Sequence, residues 1–155
     1  MVISNACMNI HPHIPRELVG TWRLLSWTYQ DEEGTRRDFF GDAPTGILMY
    51  DENGYMNAQL MKQGRAAFQS DALDGSTPQE SKSAFDSYLS YFGRYWYDPE
   101  RQAVVHKVEA SLIPNWVGQE QVRYVRLEGR RLCIYTPPFL AEGRMRVFNL
   151  EWEKL

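Results

Sequence analysis

The sequence predicts an all-β chain, an up-and-down antiparallel barrel of about eight strands with one short helix. Three observations carry that reading. Short runs rich in β-branched and aromatic residues alternate between two faces. Turn signals such as Asn53-Gly54, Asp98-Pro99 and Glu128-Gly129 separate them at short intervals. Only one segment carries the start signals of a helix.

Taken in order, residues 1–17 read as a flexible N-terminal tail, without periodicity and broken by Pro12 and Pro15. His11 and His13 in such a tail make a poor metal site. Residues 18–155 form the domain. Gly20 to Gln30 is the first strand and stops at Asp31-Glu32-Glu33-Gly34. Thr45 to Asp51 and Tyr55 to Met61 form a hairpin about Asn53-Gly54. In the second of these, Met56, Ala58 and Leu60 share one face. Tyr55, Asn57, Gln59 and Met61 share the other, which suits a cavity wall as well as solvent.

Thr77 is a good N-cap, Pro78 fits the first helical position, and Glu80 completes a capping box. Ala84, Phe85, Tyr88, Leu89 and Phe92 then recur at helical spacing and predict an apolar face. Strands follow at Arg94 to Tyr97, Ala103 to Glu109, Gln121 to Leu127, Arg131 to Tyr135 and Arg144 to Trp152. Ile113-Pro114-Asn115 and Pro137-Pro138 interrupt them.

The 155 residues suit one domain with a real core, and 43% hydrophobic with 24% charged residues is ordinary for a soluble globular protein. Aromatics reach 14%, mostly Tyr and Trp, which pair a large apolar body with one polar handle. Seventeen basic and twenty acidic residues give a net charge of −3 with no basic block, which argues against nucleic acid. No apolar run spans a bilayer and no secretory signal is evident, so a cytoplasmic location away from membranes is expected. Cys7 and Cys133 show no pairing by spacing. Nothing fixes the oligomeric state, and a homodimer is compatible with the sequence.

Gly20-Thr21-Trp22 at the start of the first strand resembles the G-x-W opening of lipocalins. With GILMYDENGYMNAQLM and the run from YFGRYWYD through SLIPNWVG to VRYVRL, the chain resembles the bacterial and fungal lipocalin-like domain family. That resemblance implies a closed barrel around a small-molecule cavity, capped at one end by the helix or adjoining loops. It also implies that Trp22 packs at the closed end beneath an arginine, for which Arg146 and Arg123 are the candidates. Related small barrels include passive binders and cofactor-free cyclases or isomerases, so fold alone does not choose between them.

His106 lies between Val104 and Val108 on one strand face. It is either a core histidine with one satisfied hydrogen bond or a cavity-facing acid–base group with a pKa near 6.5. Metal ligation lacks a second His or Cys at ligand spacing, so no metal is expected. An inward Arg123 or Arg94 needs a carboxylate, carbonyls or a ligand, because an unpaired buried guanidinium is costly. His106, Arg123 and Arg94 are the candidate catalytic residues; Met49, Tyr50, Asn57, Gln59, Tyr95, Trp116 and Tyr124 are candidate ligand contacts. With no phosphate loop, dinucleotide unit or nucleophile elbow, no cofactor is expected. The expected function is cofactor-independent cyclisation or isomerisation of an apolar, oxygen-bearing molecule, by templating its conformation with acid–base help. The alternatives are a non-catalytic carrier or sensor of a small hydrophobic ligand, and an interaction module whose barrel is filled by its own side chains with Arg94 and Arg123 exposed. Catalysis or carriage needs a cavity of several hundred Å3.

Overall fold

A computed structural model describes residues 14–155; the readings of Cys7, His11 and His13 lie outside the described residues. The strands are β1 (Gly20–Gln30), β2 (Arg36–Asp38), β3 (Thr45–Tyr50), β4 (Tyr55–Met61), β5 (Tyr88–Asp98), β6 (Ala103–Ser111), β7 (Glu120–Glu128), β8 (Arg131–Tyr135), β9 (Phe139–Ala141), β10 (Arg144–Arg146) and β11 (Phe148–Lys154). One helix, α1 (Pro78–Asp86), precedes β5. Eight strands run in the order β1-β3-β4-β5-β6-β7-β8-β11, and β11 returns to pair with β1. The sheet is therefore a closed antiparallel barrel without free edges in its wall. β2 pairs with the far end of β1, whereas β9 and β10 pair only with each other.

Connection length separates the two ends. Residues 51–54, 99–102 and 129–130 make tight turns at the end where Gly20 of β1 faces Tyr50 of β3. Residues 31–44, 62–87, 112–119 and 136–147 make the long connections at the other end.

Alternation fills the interior with Trp22, Leu48, Tyr50, Met56, Ala58, Leu60, Val104, Val108, Leu132, Phe148 and Trp152, all buried. In β1 a register shift between Leu24 and Ser26 resets the alternation, so that Trp22 and Leu24 join the core before it and Trp27 after it. A second shift, at Phe92/Gly93 in β5, requires glycine: a Cβ on Gly93 would lie 1.9 Å from the Lys107 carbonyl oxygen.

At the tight-turn end the Trp22 Nε1–H donates to the Leu18 carbonyl at 3.0 Å. The cation over its ring is Lys154, with Nζ 5.2 Å from the centroid. This corrects the expectation of Arg146 or Arg123. Arg146 lies over Tyr29, and Arg123 lies inside the barrel.

The capping box at Thr77 and Glu80 is present, with both reciprocal bonds made. The helix is shorter than the apolar spacing suggested, however. Ser87 donates to the Ser83 carbonyl at 2.7 Å and stops it, so that Tyr88, Leu89 and Phe92 belong to β5. No helical side chain is buried, and α1 contributes no wall to the interior.

Candidate functional site

In the interior Tyr50, His106 and Tyr91 form one hydrogen-bonded group, with Arg123 beside it. His106, 1% exposed, takes both ring nitrogens to tyrosines: Tyr50 Oη lies 2.7 Å from Nε2 and Tyr91 Oη 2.9 Å from Nδ1. Tyr50 ends β3, Tyr91 lies in β5 and His106 in β6, so the barrel wall itself sets these distances. Arg123 of β7 lies beside the group at 7% exposure, donating to the Val122 carbonyl and to Gln121 Oε1, each at 3.0 Å. It forms no ion pair among the described residues.

Burial sets the protonation states. It depresses the His106 pKa well below the ordinary imidazole value, and the neighbouring Arg123 charge pushes the same way. The ring is neutral at pH 7. Burial raises the hydroxyls of Tyr50 and Tyr91 above the usual phenol value, with Arg123 pulling both partly back. Tyr95, beneath the ring of Tyr50, donates instead to the Asp51 carbonyl at 2.6 Å.

Beside this group the side chains leave a chamber of about 40 Å3, lined among others by Trp27, Leu60, Tyr91, His106, Trp116, Arg123, Thr136, Phe139 and Trp152. That is room for about three waters, far below the several hundred Å3 expected from the sequence. Trp116 and Phe139, both from the long-connection end, are among the side chains that line the chamber. Trp116 meets Tyr91 edge-on at 5.4 Å, and Phe139 stacks on Phe148 at 5.0 Å. The indole N–H groups of Trp27 and Trp152 are buried without a partner. A larger hollow of about 700 Å3 lies between α1 and residues 62–66, but it is an open groove among exposed residues such as Lys62, Gln79 and Lys82.

Of the candidates read from sequence, His106, Arg123 and Trp116 line the chamber, and Tyr50 and Tyr95 lie buried outside its lining. The other five face outward. Arg94 rests over the Tyr55 ring at 4.3 Å. Asn57 and Gln59 bond to each other on the outer face, where Tyr88 joins them. Met49 and Tyr124 are exposed. The reason is shared: each of the five alternates with a residue that packs inside, and the apolar set claims the interior. Sequence reasoning missed Tyr91, because its neighbours matched a helical spacing; its two-residue step to Gly93 and Tyr95 was the available signal.

Among the described residues no three His, Cys, Asp or Glu gather as a metal site, and no helix is long and apolar enough to cross a membrane. A family model described as "Lipocalin-like domain" matches residues 19–155. The 4'-hydroxy-3'-methoxypropiophenone carrier protein ppsC of Aspergillus oryzae is 32% identical over 107 residues, which cover 64% of this chain and 96% of that protein. A lipocalin-like protein from Bacteroides uniformis matches with a TM-score of 0.45 at 15% identity, over 90% of this chain and 99% of its own. A protein from Bacteroides eggerthii matches with a TM-score of 0.44 at 14% identity, over 89% and 99%.

Proposed function

The chain belongs to the lipocalin-like domain family, and we propose that its barrel carries a small, largely apolar, oxygen-bearing molecule in the chamber beneath Trp116 and Phe139. The observation that carries this reading is Arg123, a buried cation in a chamber whose lining holds no carboxylate. Burying a charge unpaired costs several kcal/mol in a medium of low dielectric. A bound oxygen would offset that cost, which is a reason for the arginine to be there. The related Aspergillus protein is named as a carrier of a propiophenone, and that name favours carriage over catalysis.

Cyclisation or isomerisation, the alternative within the same barrel, would need a group that exchanges protons near pH 7. His106 is held neutral, and both its ring nitrogens already serve tyrosines. Such a ring orients its neighbours better than it transfers protons. Because the chamber is small as it stands, loading must displace Trp116 or Phe139, the two aromatic wall residues that lie on the long connections.

Isothermal titration with 4'-hydroxypropiophenone, followed by chromatography of the recovered ligand, tests the proposal. Saturable one-to-one binding and return of unchanged ketone are expected. Absence of saturable binding, or recovery of a converted product, would overturn it.

A further inference from the structure

The hydrogen-bond pattern around His106 determines which way its proton faces. A neutral imidazole has one N–H and one lone pair. Tyr50 is 1% exposed, contributes nothing to the chamber lining, and has His106 as the sole partner of its hydroxyl among the described residues. If Nε2 carried the proton, the Tyr50 hydroxyl hydrogen would be buried with nowhere to go. Tyr50 therefore donates to Nε2, and His106 holds its proton on Nδ1 and donates it to the Tyr91 oxygen. The hydroxyl hydrogen of Tyr91 is then free, and Tyr91 lines the chamber beside Arg123.

The rest of the lining has the same polarity. Thr136 accepts from the Phe148 N–H at 3.0 Å, leaving its own hydrogen to donate. Trp27 and Trp152 bring indole N–H groups that meet no acceptor. Leu48, Ala58, Leu60, Ile134 and Leu150 add only apolar surface, and no carboxylate or carboxamide lines the chamber. Its charged and titratable groups are Tyr91 from β5, His106 from β6 and Arg123 from β7. The walls thus offer donors and one positive charge, between aromatic rings, and little that accepts.

We infer that the molecule carried is an aryl compound bound through an ionised oxygen, which receives the Tyr91 hydroxyl and the Arg123 guanidinium together. This deepens the carrier reading and rests on it. A second acceptor on the ligand, such as a ketone oxygen, would satisfy an indole N–H. The neutral form of the same molecule must place its own O–H against two donors, and it binds more weakly for that reason. Selection between protonation states of one ligand follows from the wall chemistry and needs no conformational switch.

Two probes separate the possibilities: 4'-hydroxypropiophenone, whose phenol and phenolate differ in absorbance, and its 4'-methoxy counterpart, which cannot ionise. Titration of the hydroxy ketone on the wild-type protein should show its phenol ionising at least one pH unit below the free ligand, a tenfold preference for the anion. The methoxy ketone should bind at least tenfold more weakly at a pH where the free phenol is ionised. Arg123→Gln should return the ionisation to the free value, while Arg123→Lys keeps part of the lowering. Equal affinity for the two ketones, or ionisation at or above the free value, overturns the inference while leaving a carrier. Failure of both ketones to bind would overturn the carrier reading itself. The wild-type titration decides alone, so a variant that does not fold leaves the inference open to refutation.

Discussion

The two ends of the barrel are built to opposite plans. At the tight-turn end each conspicuous polar group has a partner: Trp22 donates to Leu18, Lys154 covers the indole and donates to the Glu17 carbonyl, and Tyr95 donates to Asp51. At the other end long connections bring Trp116 and Phe139 over the interior, and neither β9 nor β10 joins the barrel's hydrogen-bonded wall. Between them lie an arginine without a carboxylate and two indoles without acceptors. Complete satisfaction marks the part that holds the fold, and unmet donors mark the part that holds something else.

Removing one tryptophan from each end gives the largest contrast. Trp22 is 0% exposed and bonded, so Trp22→Ala should cost about 3–5 kcal/mol of unfolding free energy. Trp116 is only half buried, on a short turn, and Trp116→Ala should cost about 1 kcal/mol while speeding ligand release. Denaturant unfolding and stopped-flow release measure the two. Equal losses of stability would erase the distinction between the ends.

Acid should act at the chamber before it acts at the closed end. His106 has its folded pKa depressed below the unfolded value, so the unfolded chain binds the extra proton first. The stabilisation is therefore complete above pH 6.5 and is lost as pH falls below it, toward the folded pKa. The groups facing the ring are Tyr50, Tyr91 and Arg123, none of them a carboxylate that would rescue the imidazolium. Between pH 7.5 and pH 5 this one group should cost stability, by at most about 2 kcal/mol, the limit set by the unfolded imidazole. Unfolding curves of the wild type and His106→Gln at both pH values isolate it; the same pH dependence in both would remove His106 as the cause.

A pair of hydroxyl deletions sharpens the comparison at smaller cost. Tyr95→Phe removes one bond to a backbone carbonyl at the closed end and should cost about 1 kcal/mol with ligand affinity unchanged. Tyr91→Phe strips the acceptor from His106 Nδ1 and the donor from the chamber. It should cost a similar amount in stability, and at least tenfold in affinity for the hydroxy ketone. Calorimetric titration of both variants reads the difference, and equal affinities would count against Tyr91 as a ligand contact.

Much of the architecture was legible because period-two alternation and turn chemistry are local properties. The hairpin at Asn53-Gly54, the capping box at Thr77 and the break at Pro114 all follow from a few adjacent residues. The start of β5 did not, because Ala84, Phe85, Tyr88, Leu89 and Phe92 satisfy a helical period until Ser87 ends the helix. The site was half legible. His106 between Val104 and Val108 sits on an apolar face and so points inward, whereas Arg123 alternates with Gln121, Val125 and Leu127, a mixed face that does not fix its direction. Asn57 and Gln59 sit opposite Met56, Ala58 and Leu60, which turns them outward. Chamber size depends on how Trp116 and Phe139 pack from distant connections, and no local pattern encodes that.

The smallest effect belongs to the other arginine that sequence placed near a ligand. Arg94 is exposed, with its guanidinium 4.3 Å from the Tyr55 ring, an arrangement worth about 0.5–1 kcal/mol at a surface site. It also lies directly across from Lys107 in the β5–β6 register, and like charges so placed repel by a comparable amount. Arg94→Ala removes both interactions at once. Its unfolding free energy should stay within about 0.5 kcal/mol of wild type, and its ligand affinity should not change. The two arginines carry the same charge, yet one meets solvent and the other a closed, donor-rich chamber. A tenfold loss of affinity in Arg94→Ala would mean that the ligand binds outside the barrel, and the contrast between its two ends would then have no bearing on binding.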